Sequence, residues 1–151
     1  MTRCRGAILL LLACLPSRSV TAQVTTLRNM TFGTITSGTT TSITKTSASA
    51  AEWKIHGTSV LTGGFQLTLP ASLSGPGATM AIAFSTTDGA YRVNVNNPVG
   101  ATTFNPSNFV GLGILVAADV YVWLGASVSP PLNQKPGSYT GTVILTTSGI
   151  L

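Results

Sequence analysis

The sequence predicts an all-β protein, an antiparallel sandwich of seven to nine strands. Three observations predict it. From residue 112 to residue 128 every even position is apolar (Leu112, Ile114, Val116, Ala118, Val120, Val122, Leu124, Ala126, Val128), the period of two of a strand with one buried face. The chain is rich in Thr and Val, which favour strands, and its 16 glycines and 8 prolines punctuate it at short intervals. No segment shows sustained helical periodicity and no internal repeat is present, so short strands with turns between them fill the chain.

Residues 1–22 read as a secretory signal peptide. Arg3 and Arg5 precede an apolar run from residue 7 to 15 that is too short to span a bilayer, and Val20-Thr21-Ala22 is a small-residue cleavage site. Cleavage between Ala22 and Gln23 leaves residues 23–151 as a single exported domain, of a size that supports its own core. A competing reading takes Leu11-Leu12-Ala13-Cys14 as a lipoprotein box with Cys14 lipidated. Cleavage after Ala22 removes Cys4 and Cys14, so the exported domain rests on its core and sheet ladders without disulfides. It also removes Arg3, Arg5 and Arg18. What remains is Arg28, Lys45, Lys54, Arg92 and Lys135 against Glu52, Asp88 and Asp119, with no basic cluster of the kind that nucleic acid requires.

Taken in order, residues 23–29 are a short lead-in. Residues 30–35 read as a strand with Met30 and Phe32 on one face and Gly33 as a bend. Residues 36–51 hold one large apolar residue, Ile43, and read as a turn and an exposed edge strand. Trp53 and Ile55 share a face in the next strand. Gly63-Gly64 signals a two-residue turn before Phe65, Leu67 and Leu69, and residues 70–77 read as loop. Met80, Ile82 and Phe84, then Asp88-Gly89, then Tyr91, Val93 and Val95 describe a hairpin that sets Phe84 opposite Val93 and Ile82 opposite Val95, apolar on one face. Residues 96–111 read as loop. Residues 112–128 form the longest strand pattern, in which Asp119, the glycines and the period of two exclude a membrane span. After the proline-rich stretch 129–137 the alternation resumes from Ser138 to Thr146.

Catalysis needs clustered ionisable or nucleophilic groups, and the sequence supplies few. His56 is the only histidine, so no two-histidine metal set forms within one chain, and its position beside Lys54 reads as a solvated strand residue. A glycosidase pair would have to be Glu52 with Asp119, which nothing in the sequence brings together. No Gly-x-Ser-x-Gly elbow and no glycine-rich phosphate loop before a helix occurs. The expectation is a protein that is not an enzyme and takes no cofactor or metal. Tyr121 and Trp123 lie on the odd face of the long strand pattern, where they could stack on a sugar ring; the alternatives are a central strand buried on both faces or a pair that covers a loop. The stretch from Pro130 to Gly137 could be a polyproline recognition segment or simply a shaped connection.

Three stretches carry a resemblance. Met30-Thr31-Phe32-Gly33-Thr34-Ile35, Phe65-Gln66-Leu67-Thr68-Leu69-Pro70 and Gly137-Ser138-Tyr139-Thr140-Gly141-Thr142-Val143 resemble the opening, mid-chain and closing strands of a group of uncharacterised bacterial secreted β proteins. That group is similar in pattern to the spore coat protein U domain and, more remotely, to chaperone–usher pilins. The resemblance implies an immunoglobulin-like, pilin-like sandwich in a surface, coat or fimbria-like assembly, located in the periplasm, on the cell surface or outside the cell. It implies self-assembly by β-strand addition, with Val24, Leu27 and Met30 as donor-strand residues, a groove bordered by residues 137–146, and a periplasmic chaperone and usher as partners. A glycan is the partner under the alternative reading, a carbohydrate- or surface-binding module.

Overall fold

The computed structural model describes residues 22–57 and 60–148, with the backbone alone for residues 60–62 and 116; the signal segment 1–21, including Cys14, lies outside the described residues. Among the described residues there is no helix, and therefore none long and apolar enough to cross a membrane. The protein is all-β.

Among the described residues twelve strands form, more and shorter than the seven to nine expected: β1 (Gln23–Arg28), β2 (Thr41–Ile43), β3 (Ala51–His56), β4 (Val60–Thr68), β5 (Ser72–Gly75), β6 (Ala78–Ala83), β7 (Gly89–Val93), β8 (Thr102–Phe104), β9 (Val110–Val116), β10 (Asp119–Leu124), β11 (Ala126–Val128) and β12 (Ile144–Ser148). Every pairing is antiparallel. One sheet has the order β1-β3-β10-β7-β8, a second β2-β11-β6-β5, and a third β12-β4-β9. The last two are linked along one path. Ile144 pairs with Thr68 at the end of β4, and Thr140 exchanges both main-chain hydrogen bonds with Ser74 of β5, at 2.7 and 2.9 Å. The result is sandwich-like: Trp53, Ile55, Val120, Val122 and Leu124 of the five-stranded sheet face Phe65, Leu67 and Val110 of the β4–β9 side. The fully buried Phe65 ring meets Phe104 and Tyr91 edge-on, at 5.3 and 6.0 Å between centroids, the geometry that aromatic quadrupoles favour.

The sequence pattern from 112 to 128 is three strands. Ala117, with φ of 45°, turns the chain out of β9, and the path then runs through β10 and past Gly125 into β11 of another sheet. The parity survives from Ala118 onward, where every even residue to Val128 is buried, but it fails before the turn, where Ile114 is 75% exposed.

The glycine pair at 63–64 makes no turn. Both residues lie inside β4, where the ladder to β9 shifts register. A Cβ on Gly64 would stand 1.9 Å from the Val110 carbonyl oxygen, so the bare backbone is needed for close approach rather than for reversal.

Nor do β6 and β7 form a hairpin. The Asp88 carboxylate accepts from the Ser85 amide at 2.7 Å and closes a local turn, after which β7 joins β10 and β8 while β6 joins β5 and β11. Both strands face the interior, so the apolar alternation fits two sheets as well as one hairpin; Phe84, Ile82 and Val93 are half-buried and Val95 is exposed.

The segment 70–77, expected as loop, contains β5 and a true two-residue turn, Pro76-Gly77, with Gly77 at φ 68° as a type II turn requires. The expected loop 96–111 contains β8, residues 30–35 form no strand, and the closing strand begins only at Ile144. The short edge strand carrying buried Ile43 is where the sequence puts it, as β2.

Candidate functional site

Two regions carry the polar and apolar groups of interest: the outer face of the five-stranded sheet, and a cavity at the open side between the layers.

On the outer face, alternation along β3 turns Ala51, Trp53 and Ile55 inward and leaves Glu52, Lys54 and His56 outward. Register places Asp119 beside His56, Tyr121 between Lys54 and Arg92, and Trp123 between Glu52 and Ala90. His56 Nδ1–H donates to Asp119 Oδ1 at 2.5 Å, and the Lys54 ammonium meets Oδ2 at 2.7 Å. The hydrogen bond from Lys54, followed by that from His56, holds the Asp119 carboxyl below the usual carboxylate range. The bond to Asp119 likewise raises the Lys54 ammonium.

This pairing of His56 with Asp119 was not legible in the sequence. They are neighbours only because β3 and β10 are adjacent in that register. Glu52, 2% exposed and paired with Arg28, lies four residues farther along the same ladder, roughly 13 Å away at 3.3 Å per residue. That exceeds the carboxylate spacing of either glycosidase geometry. No group of three His, Cys, Asp or Glu gathers among the described residues.

The Asp119 cluster has a pH signature. A carboxyl with a depressed pKa stabilises the fold above its ordinary pKa, and the contribution is lost as pH falls through the depressed value. A raised lysine contributes below its ordinary pKa, and its share is lost as pH rises through the raised value. The melting-temperature difference between the wild type and Asp119→Asn is therefore expected to be widest from about pH 5 to 10 and to shrink on both sides. A difference that stays constant across a pH titration would contradict this.

Tyr121 and Trp123 lie nearly parallel, 6.2 Å apart at 20°, with the Lys54 ammonium 5.9 Å from the Tyr121 centroid. Their exposures differ. Tyr121 is half-buried, whereas Trp123 is 1% exposed on the central strand. Residues 44–50 arch over its row. From one flank Arg28 donates to the Ala48 carbonyl at 2.9 Å, and from the other Lys45 donates to Thr87 O and Thr103 Oγ1 at 2.8 and 2.6 Å. Of the two aromatics, only Tyr121 offers any accessible surface.

The cavity, about 950 Å³, opens between β3, β5 and β6 on one hand and the irregular stretches 29–37 and 130–143 on the other. Trp53, Leu73, Met80, Ile82 and Phe84 line it, with Met30 and Phe32 from the first stretch. Its outer wall is braced: Tyr139 O–H donates to the Lys135 carbonyl at 2.7 Å, and Gln134 Nε2 donates to Tyr139 Oη at 2.6 Å and to Thr79 O at 3.3 Å. Gln134 Oε1 is buried without a partner among the described residues.

The donor-strand candidates fall on and just after β1, which pairs within its own chain: Val24 opposite Ile55, Thr25 opposite Lys54 and Thr26 opposite Trp53. All six β1 residues, Val24 and Leu27 included, are exposed, while Met30 packs against the core. Ala22, on the amino side of the expected cleavage point, is buried in the core, and Gln23 opens β1. No protein-family model, no curated protein and no solved structure matches the chain.

Proposed function

We infer that this is a non-catalytic, exported structural or surface-associated subunit that assembles by β-strand addition, with β1 as the strand that is exchanged. One observation carries the reading: β1 is an edge strand whose six side chains are all exposed, held on one side by the ladder to β3. Its free edge and its pairing are made of main-chain hydrogen bonds, which any equivalent strand supplies equally well. Residues 29–40 carry no regular structure and can reach about 40 Å when extended, enough to deliver β1 to the β3 edge of a neighbour. Head-to-tail exchange of this kind does not close on itself and builds linear assemblies. The acceptor edge is then β3 rather than the 137–146 stretch that the resemblance implies.

In this reading the sandwich is of the immunoglobulin-like, pilin-like kind, the assembly is a fimbria- or coat-like one in the periplasm or on the cell surface, and a periplasmic chaperone covers the open β3 edge before assembly. The glycan-binding alternative rests on Tyr121 alone, since Trp123 is roofed.

Deleting residues 23–28 tests the proposal. The shortened chain is expected to stay folded and monomeric in sedimentation at concentrations where the full domain forms multimers. A full domain that is monomeric throughout, or a deletion variant that still assembles, would overturn it.

A further inference from the structure

We propose that the cavity between β3, β5, β6 and residues 130–143 binds a single-tailed amphiphile with an anionic head group. Its volume, about 950 Å³, lies within the range of small-molecule sites, and its floor of Trp53, Leu73, Met80, Ile82 and Phe84 is apolar. Among the described residues, the only charged side chain in the lining is Lys135. It is exposed at the mouth, its ammonium 3.4 Å from the Gly77 carbonyl oxygen at the tip of the β5–β6 turn. The chain has three acidic side chains, and all are committed elsewhere: Glu52 to Arg28, Asp119 to Lys54 and His56, and Asp88 to the Ser85 amide. Lys135 therefore presents an ammonium with no acidic side chain beside it, at the rim of a chamber whose floor is apolar. An extended peptide strand is a poorer occupant of that wall, because Thr140 already spends both main-chain groups on Ser74, and β5 is paired with β6 on its other side.

The acyl tail lies on the floor and the head meets the Lys135 ammonium at the mouth. Affinity then follows tail length, by about fourfold for each methylene buried, until the chamber is full. The head contributes less, because an exposed ion pair is worth about fivefold at most.

The probes are octanoate, decanoate, dodecanoate and dodecyltrimethylammonium, each below its micelle concentration. The readouts are Trp53 fluorescence and calorimetry on domain diluted to the monomer, so the result stands whether or not β1 exchanges. Saturable binding that tightens from octanoate to dodecanoate is expected, with the cationic probe weaker. Lys135→Glu, a change at an exposed residue that leaves the core intact, is expected to reverse the ranking of the two head groups. Ile82→Phe, which fills part of the chamber, is expected to weaken dodecanoate more than octanoate. Absence of saturable binding of dodecanoate, affinity independent of tail length, or an unchanged head-group ranking in Lys135→Glu would overturn the proposal.

Discussion

Trp123→Ala is expected to destabilise the fold by about 3–5 kcal/mol, the cost of truncating a buried aromatic, even though Trp123 sits on the outward face of its sheet. The ring is 1% exposed, between Glu52 and Ala90 in register and beneath the 44–50 arch that Arg28 and Lys45 hold from either flank. Removing it leaves a void under a loop that cannot collapse without breaking those anchors. Tyr121→Ala, two residues away and half-buried, removes less buried area and is expected to cost clearly less. Denaturant unfolding of both variants checks the ordering. Equal and small losses would mean that the arch does not cover Trp123, and would restore the ring as a surface for ligands.

The second large effect is expected at Gly64, where alanine should destabilise by roughly 1–3 kcal/mol or more, as overpacking does. The added methyl would stand 1.9 Å from the Val110 carbonyl oxygen, a backbone atom that gives way only if the β4–β9 ladder opens. Gly111 in the facing strand is the control: a Cβ there meets nothing closer than the Phe109 ring at 4.0 Å. Gly111→Ala is therefore expected to be neutral or mildly stabilising, since it restricts the unfolded chain. Thermal melts in which both variants lose stability alike would refute the close approach at Gly64.

These two positions also mark where the sequence was readable. Period-two alternation located β3 and the β10–β11 path, because inward residues must be apolar whichever strand lies alongside, while the edge strand at Ile43 was read from a single apolar residue in a Ser/Thr-rich stretch. Alternation carries no information about partners, however. Phe84 and Val93 match as a hairpin, yet Phe84 follows β6 of one sheet and Val93 belongs to β7 of another, and each is half-buried there. Turn chemistry was equally two-sided. Pro76-Gly77 turns the chain, whereas Gly63-Gly64 lets two backbones touch, and a glycine pair alone does not distinguish the two uses.

The same gap hid the His56–Asp119–Lys54 cluster and the cavity. Both are made by elements distant in the chain, and the cavity's walls include residues 30–35 and 138–143, where the alternation in the sequence is not realised as named strands. Trp123 is buried on the outward face of its central strand, whereas Tyr121, two residues away on the same face, is half-buried.

A cysteine pair across β1 and β3 separates strand addition from a closed monomer. Thr25 and Lys54 are register partners across β1 and β3, so Thr25→Cys with Lys54→Cys, in a chain beginning at Gln23 and otherwise free of cysteine, places two thiols within bridging reach. Oxidised at low concentration, this variant is expected to close the bridge within one chain. Oxidised after incubation at high concentration, it is expected to yield a ladder of covalent multimers on a non-reducing gel, as β1 of each chain locks onto β3 of the next. Intramolecular bridges alone at every concentration would show that β1 never leaves its own sheet, and would contradict strand addition by this protein.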